Sequence, residues 1–268
     1  MSKAFPLTKV LFETEGAAAS AAQQAGIRDF MVDWECKGKE ARQSGYDTEI
    51  NGKTLADLSR LASLSGARTW CRVNGPGFLT QDEVDRAVDA GAAIVLLPMA
   101  TTPADVESFL AMVNGRCRAG ILMETPQACR DAAEFARFPL EAVYVGLNDL
   151  MIGLGNRSIF DALASGIVDE VRSHFDVPLF GFGGCTVLDG GNPLPCRMFL
   201  QEMARLHCNM TFLRRSYKKD IAGRDSCAEA GRVQAYWETL NRRTPDEIRR
   251  DHHEFLQAAR RIGEGGPS

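Results

Sequence analysis

The chain has 268 residues, 45% of them hydrophobic and 25% charged, with 31 Lys and Arg against 35 Asp and Glu for a formal net charge of −4. That much apolar material excludes a disordered or fibrous chain, and the mildly negative balance offers nothing to nucleic acid or an anionic membrane. The eight cysteines are scattered with no C-x-x-C pair, which sets aside a zinc site and fits reduced thiols, and the first sixteen residues lack a signal-type apolar run, so a cytoplasmic location is expected.

Strand-like and helix-like segments alternate along the chain. "KVLFET" (9–14) is a short apolar run, and "GAAASAAQQAG" (16–26) is a small-residue helix closed by Gly. "DFMVDWE" (29–35) reads as a strand, "TLADLSRLASLSG" (54–66) as a helix, and "ARTWCRVN" (67–74) as a strand. "TQDEVDRAVDAG" (80–91) is a capped helix with acids in its first turn. "AAIVLLPM" (92–99) is continuously apolar, as a parallel strand covered on both faces requires. Helix 101–115, strand 119–124, helix 126–138 and strand 142–147 follow. Helix 158–175, strand 177–183, helix 195–207 and strand 209–215 complete the alternation, and helices 227–243 and 245–262 close the chain.

Eight strands, each followed by a helix, predict a (β/α)₈ TIM barrel of class α/β. With no linker or composition break, residues 1–268 read as one domain. Extra C-terminal helices follow the barrel, and residues 245–268 hold a helix and frayed tail that offer an oligomer contact. An open doubly wound sheet is the runner-up, weakened because no G-x-G-x-x-G follows the first strand.

Catalytic residues of such barrels stand at the carboxyl ends of the strands. Those positions hold Glu13 and Thr14; Asp33, Trp34 and Glu35; Arg72 and Asn74; Pro98 and Met99; Glu124 and Thr125; Asn148 and Asp149; "GFGG" (181–184); and Arg214, Arg215 and Ser216. Glu124 directly follows the apolar "AGILM", so its charge must be paired or metal-bound. Asp149, on the next strand's end, is either a turn or cap residue or a second ligand. With neighbouring strands about 5 Å apart, the two can share one divalent cation, and Mg²⁺ suits one or two carboxylates plus water and substrate. Arg72 reads either as a salt bridge to Glu124 or Asp33, or as a fork for a carboxylate or enolate oxygen. The "GLND" turn offers backbone N–H groups to a carboxylate. Together these suit a 2-oxo acid whose enolate is stabilised by the metal and Arg72.

These stretches resemble the HpcH/HpaI aldolase and citrate lyase β-subunit superfamily. "FMVDWECKGKEARQ", "CRVN", "GAAIVLLPM", "ILMETPQA" and "VYVGLNDLMIGLG" match its segments in order over roughly residues 27–155. The resemblance implies a (β/α)₈ barrel that binds Mg²⁺ or Mn²⁺ and makes or breaks carbon–carbon bonds through a pyruvate or acetyl-CoA enolate. It implies Glu124 and Asp149 as metal ligands, Arg72 as the substrate arginine, and the amides of Leu147, Asn148 and Asp149 as the carboxylate cradle. It also implies a homo-oligomer. The sequence departs from the family at three places. Cys36 stands where the aldolases carry a histidine base, and also where citrate lyases carry a second acid. Leu122 stands where the aldolases carry a glutamine. Candidates for proton transfer are Glu35, Asp33, a metal-bound water and Cys36, with Glu35 preferred.

The expected activity is that of a metal-dependent carbon–carbon lyase, a class II-type aldolase, acting on a 2-oxo acid and an aldehyde. An acyl-CoA lyase of the citrate lyase type and a non-catalytic barrel that binds a carboxylate metabolite are the alternatives. The basic run "RRSYKKD" (214–220) is the only hint of a nucleotide groove, and it reads equally as a solvated charge run. "GGCTVLDGG" reads as a phosphate loop or a lid, Trp34 as a rim aromatic, and His252 and His253 as a solvated helix face.

Overall fold

The apolar runs become eight short parallel strands, and the last pairs with the first. In the computed structural model, which describes residues 6–37, 54–155, 158–213 and 215–265, the strands are β1 (Thr8–Leu11), β2 (Asp29–Asp33), β3 (Arg68–Arg72), β4 (Ile94–Leu97), β5 (Arg118–Met123), β6 (Ala142–Val145), β7 (Leu179–Cys185) and β8 (Met210–Leu213). They follow one another around a closed barrel, and Thr8 to Leu11 pair with Met210 to Leu213 to shut it.

Successive side chains on a strand face opposite sides, which divides the core in two. Val10, Met31, Trp70, Ile94, Leu96, Leu122, Ala142, Tyr144, Leu179, Met210 and Phe212 pack inside the barrel. Their outward neighbours, among them Phe30, Val95, Ile121, Val143 and Phe180, form the larger core under the helices. The amino end of the barrel is plugged by Asp29, which accepts from the Trp70 indole at 2.8 Å and pairs with Arg68. Gly181 on β7 carries no side chain because a Cβ there would collide with the Met210 carbonyl. Its bareness lets Tyr144 of β6 and Phe212 of β8 stack across it, with centroids 3.7 Å apart.

The helices are α1 (Gly16–Gln24), α2 (Leu55–Ala62), α3 (Gln81–Asp89), α4 (Pro103–Val113), α5 (Pro126–Arg130), α6 (Ala132–Phe135), α7 (Leu147–Leu154), α8 (Ile159–Ala164), α9 (Ile167–His174), α10 (Cys196–Arg205), α11 (Arg215–Ile221), α12 (Ser226–Leu240) and α13 (Pro245–Gly265). Thr54, Thr80, Thr125 and Ser158 each accept a backbone N–H at a helix start, as N-cap hydroxyls do. None of the described helices is long and apolar enough to cross a membrane.

Four expectations are corrected. The helix expected over 126–138 is two short helices meeting at Asp131. That expected over 158–175 is broken at Gly166, whose φ of 81° no helix interior accommodates. "GLND" is the first turn of helix α7 rather than a free turn. The closing helix runs to Gly265, past the frayed start expected at 263, and its Phe255 and Ala259 are buried against the same chain. Arg214 lies outside the described residues.

Candidate active site

Asp33 and Arg72 are paired in register on β2 and β3. Arg72 grips Asp33 with two donors, Nε to Oδ1 at 2.9 Å and Nη2 to Oδ2 at 2.6 Å. Of the two sequence readings of Arg72, the salt bridge to Asp33 is therefore present. It uses one edge of the guanidinium, and among the described residues Nη1 makes no hydrogen bond. Glu35, two residues beyond Asp33 and so on the same side, has Oε2 at 3.5 Å from Arg72 Nε. Both acids are almost wholly buried, at 1% and 2% exposure. Burial alone would make Arg72 easier to deprotonate, but Asp33, with Glu35 and Glu124, holds it above its ordinary value. The face of the guanidinium lies 5.7 Å from the Phe12 ring centroid, a cation–π contact from the end of β1.

Glu124 follows β5 and is 3% exposed. Its Oε1 accepts the Met99 amide at 2.8 Å. Met99 delivers that N–H from a left-handed backbone with φ of 57°, uncommon for a residue with a side chain and often found at functional sites. The other oxygen, Oε2, rests over Gly146, where any Cβ would overlap it. Burial, then the charges of Asp149 and Glu35, push the Glu124 carboxyl up to about 8, against the pull of Arg72 and the Met99 amide. Asp149 sits in the first turn of α7, half-buried, near enough to act on Glu124.

Arg72, Glu35, Glu124 and Asp149, the charged residues singled out in the sequence, thus converge. Leu147 and Asn148 do not join them by side chain: Leu147 is buried in the outer core and Asn148 is exposed. Their contribution is the amide groups of the first helical turn, which lack acceptors within the helix. Met99 was placed at a strand end but given no role, and the parts played by Gly146, Phe12 and Glu83 escaped the sequence reading. Met99 and Gly146 act through backbone shape, which no residue pattern announced. Phe12 continues the inward alternation of β1 and could have been found from it. Glu83 accepts the Asn74 backbone N–H at 3.0 Å and its side-chain amide at 2.8 Å. Asn74 Oδ1 in turn accepts the amides of Cys36 at 3.1 Å and Lys37 at 3.0 Å, which fixes the chain just beyond Glu35.

The four histidines lie away from this cluster. His174 pairs with Glu170, and His253 bonds to Gln257. His252 is not simply solvated: its Nδ1 lies 2.9 Å from the buried Glu202 of α10. Trp34 packs at the rim under Arg86, 5.9 Å from the guanidinium carbon to the ring centroid. The loop after β7 is anchored rather than free, since Thr186 donates to Asp220 at 2.6 Å and Asp189 pairs with Arg197 and Arg232.

The donor set can be tested against a metal. Among the described residues no group of three or more His, Cys, Asp or Glu side chains could hold a metal ion by themselves. That does not fit a zinc-type cage. It does fit a hard dication that takes one or two carboxylates and keeps positions for water and substrate. Glu124 and Asp149 are the oxygen donors in place, and a dication beside them would offset the burial and the repulsion that raise the Glu124 carboxyl.

The closed eight-stranded barrel is also the fold of HpcH/HpaI aldolase, citrate lyase and tryptophan synthase structures. The HpcH/HpaI aldolase of Desulfitobacterium hafniense DCB-2 superposes with a TM-score of 0.57 at 13% identity, over 90% of this chain and 95% of that one. A citrate lyase from Burkholderia xenovorans LB400 gives 0.55 at 16%, over 98% and 93%. Tryptophan synthase from M. tuberculosis reaches 0.59 at 14%, over 87% and 93%. At these identities the likeness is one of fold. No family model matches the sequence, and no curated protein does.

Proposed function

We propose that the chain is a divalent-metal-dependent carbon–carbon lyase, an aldolase acting on a 2-oxo acid of pyruvate type through its enolate. The observation that carries this reading is the meeting of Arg72, Glu35, Glu124 and Asp149 at one end of the barrel. The aldolase and citrate lyase names of structures with this fold support it.

Glu124 and Asp149 would hold Mg²⁺ or Mn²⁺, which when bound supplies a Lewis acid to the keto oxygen. Arg72, fixed by Asp33 along one edge, offers Nη1 to an oxygen on which charge develops. The first-turn amides of Leu147, Asn148 and Asp149 receive the substrate carboxylate at the positive end of α7. In cleavage of a 4-hydroxy-2-oxo acid, Glu35 takes the proton of the 4-hydroxyl. The C3–C4 bond breaks, an aldehyde leaves, and the electron pair passes into the enolate beside Arg72. Glu35 then returns the proton to C3, so the residue ends as it began. A citrate-lyase-type reaction on an acyl-CoA would use the same cluster. The basic run meant for its nucleotide is partly committed, because Lys218 pairs with Glu13 at 3.0 Å. The chain would work as a cytoplasmic homo-oligomer.

The experiment is exchange of the pyruvate methyl protons in D₂O, followed by NMR with Mg²⁺, with Mn²⁺ and with chelator, across several 2-oxo acids. Exchange should require the metal and should drop at least about a hundredfold in Glu35→Gln, the lower end of what a positioned general base contributes. Wild-type protein that exchanges no 2-oxo acid with either metal would remove the enolate reading.

A further inference from the structure

β7 does not run straight on into α10. Its register on β8 slips between Gly181 and Gly184, and from 186 to 195 the chain loops back on itself. The Gly190 carbonyl accepts the Cys196 amide at 2.8 Å and closes the loop. Gly191 permits so tight a return: its φ is 101°, and a Cβ there would lie 2.5 Å from the Leu194 carbonyl oxygen and 2.8 Å from the Cys196 nitrogen. The return sets Cys196, the first residue of α10, against Cys185, the last residue of β7.

The two residues meet through their sulfurs. Cys196 Sγ accepts the Thr186 amide at 3.4 Å and donates to the Thr186 carbonyl at 3.5 Å. It therefore lies beside the peptide bond that joins Cys185 to Thr186, and there it is hydrogen-bonded to the Cys185 thiol. Both cysteines are almost wholly buried, yet their surroundings differ. Cys185 lines a small cavity between β1, β8 and α12, with about 20 Å³ of free space, room for about one water. Lys9 of β1 lines the same cavity and acts electrostatically on Cys185, and a cation beside a sulfur favours its thiolate. Cys196 does not line the cavity. Its bond to Cys185, and then burial, hold its proton in place.

We propose that Cys185 and Cys196 form an oxidative modification site, a thiol pair that hydrogen peroxide converts to a reversible disulfide. The Cys185 sulfur attacks one oxygen of the peroxide. An S–O bond forms, the O–O bond breaks, and the other oxygen leaves as water with the thiol proton. The Cys196 sulfur then attacks the Cys185 sulfur. The S–S bond forms, the S–O bond breaks, and the hydroxyl leaves as water with the Cys196 proton. Two thiols and one peroxide thus become one disulfide and two waters. The bond would staple the end of β7 to the start of α10 with little backbone movement, because the sulfurs are already in contact. The inference stands apart from the reading of the barrel mouth and does not need it.

The test is mass spectrometry of the full chain, reduced, treated with hydrogen peroxide, then unfolded and alkylated. Cleavage at Asp189, which lies between the two cysteines, should release Cys185 and Cys196 on joined peptides that escape alkylation, and dithiothreitol should part them. Cys196→Ala should stop at the sulfenic acid, captured on Cys185 by dimedone added with the denaturant. In Cys185→Ala, dimedone should leave Cys196 unlabelled. Lys9→Met should slow the joining at least about tenfold, through loss of thiolate. Should a variant not fold, the joined peptides of the wild type carry the test. Full alkylation of both cysteines after peroxide, Cys185 joined to some other cysteine, dimedone on Cys196 in Cys185→Ala, or an undiminished rate in Lys9→Met would each overturn the proposal.

Discussion

The two arcs of the barrel interior are built on the same backbone and do different things. On β2, β3 and β5 the last inward positions carry Asp33 with Glu35, Arg72 and Glu124, the three acids buried and Arg72 half-buried beside them. On β6, β7, β8 and β1 the corresponding region carries Gly146, glycines of β7, and the rings of Tyr144, Phe212 and Phe12. Phe12 and Phe212 meet edge to face at 5.4 Å, and Phe12 then touches Arg72. The charged arc is held by ion pairs and by like charges that act on Glu124, whereas the aromatic arc is held by packing. Chemistry and support are thus divided by strand rather than by depth, and each arc fails in its own way.

Gly181→Ala should have the largest effect, because it attacks the supporting arc at backbone. The new Cβ would strike the Met210 carbonyl, which cannot swing aside as a side chain can. We expect at least about 4 kcal/mol of destabilisation, read as insolubility or a collapsed urea midpoint. A well-folded variant would show that the arc is looser than the ring stack implies.

Arg72→Lys attacks the other arc and should leave the fold nearly intact. Lysine keeps the charge but cannot hold Asp33 with one edge and offer the other to substrate. Turnover should fall about a hundredfold, mainly in kcat, as when other donors to a developing oxyanion are lost. A raised KM with unchanged kcat would make Arg72 a ground-state contact only.

Glu124→Gln separates stability from function by pH. With its carboxyl near 8 in the fold rather than at the ordinary 4.5, Glu124 contributes stability that is fully present below about 4.5 and lost as pH rises through about 8. Metal-free wild type should lose stability over that window. The glutamine variant should lack that part of the slope and melt higher at pH 8 by roughly 5 °C. Saturating Mg²⁺ should stabilise wild type and not the variant. A lower melting point for the metal-free variant would make Glu124 a structural partner.

Gly146→Ala is the smallest change. Its Cβ would meet the Glu124 carboxyl, which can rotate away, and also the Glu124 Cβ, which can give only through a small backbone shift. Mg²⁺ affinity should drop roughly tenfold, the lower end for a lost supporting contact, with the melting temperature lowered by no more than about 4 °C. Unchanged affinity would mean that the seat over Gly146 does not orient the carboxylate.

The strand order was legible because doubly covered strands read as unbroken apolar runs, and a charge placed directly after one has few innocent explanations. Glu124 was found that way, and Arg72 by its place at the end of a strand. Helix α7 was not, because Gly146 and Asn148 look like a turn and only the buried Leu147, Leu150 and Met151 reveal the helical face. Nor was the seat of Glu124, since Met99 takes its left-handed backbone in an "LPMA" stretch with no turn residue beyond proline. Asp33 was legible as one of two partners for Arg72, and only register chose between them. Lys9 was hidden inside "KVLFET", where a strand's first residue passes for an exposed end.

Asn74 sets a boundary that a protein engineer can use. By clamping the amides of Cys36 and Lys37 while itself held by Glu83, it ties the chain two residues beyond Glu35 to the neighbouring strand–helix unit of β3 and α3. An engineer who redesigns the mouth would therefore hold Asn74 and Glu83 constant, because a change at either would loosen Glu35 from a unit of the barrel to which it does not belong.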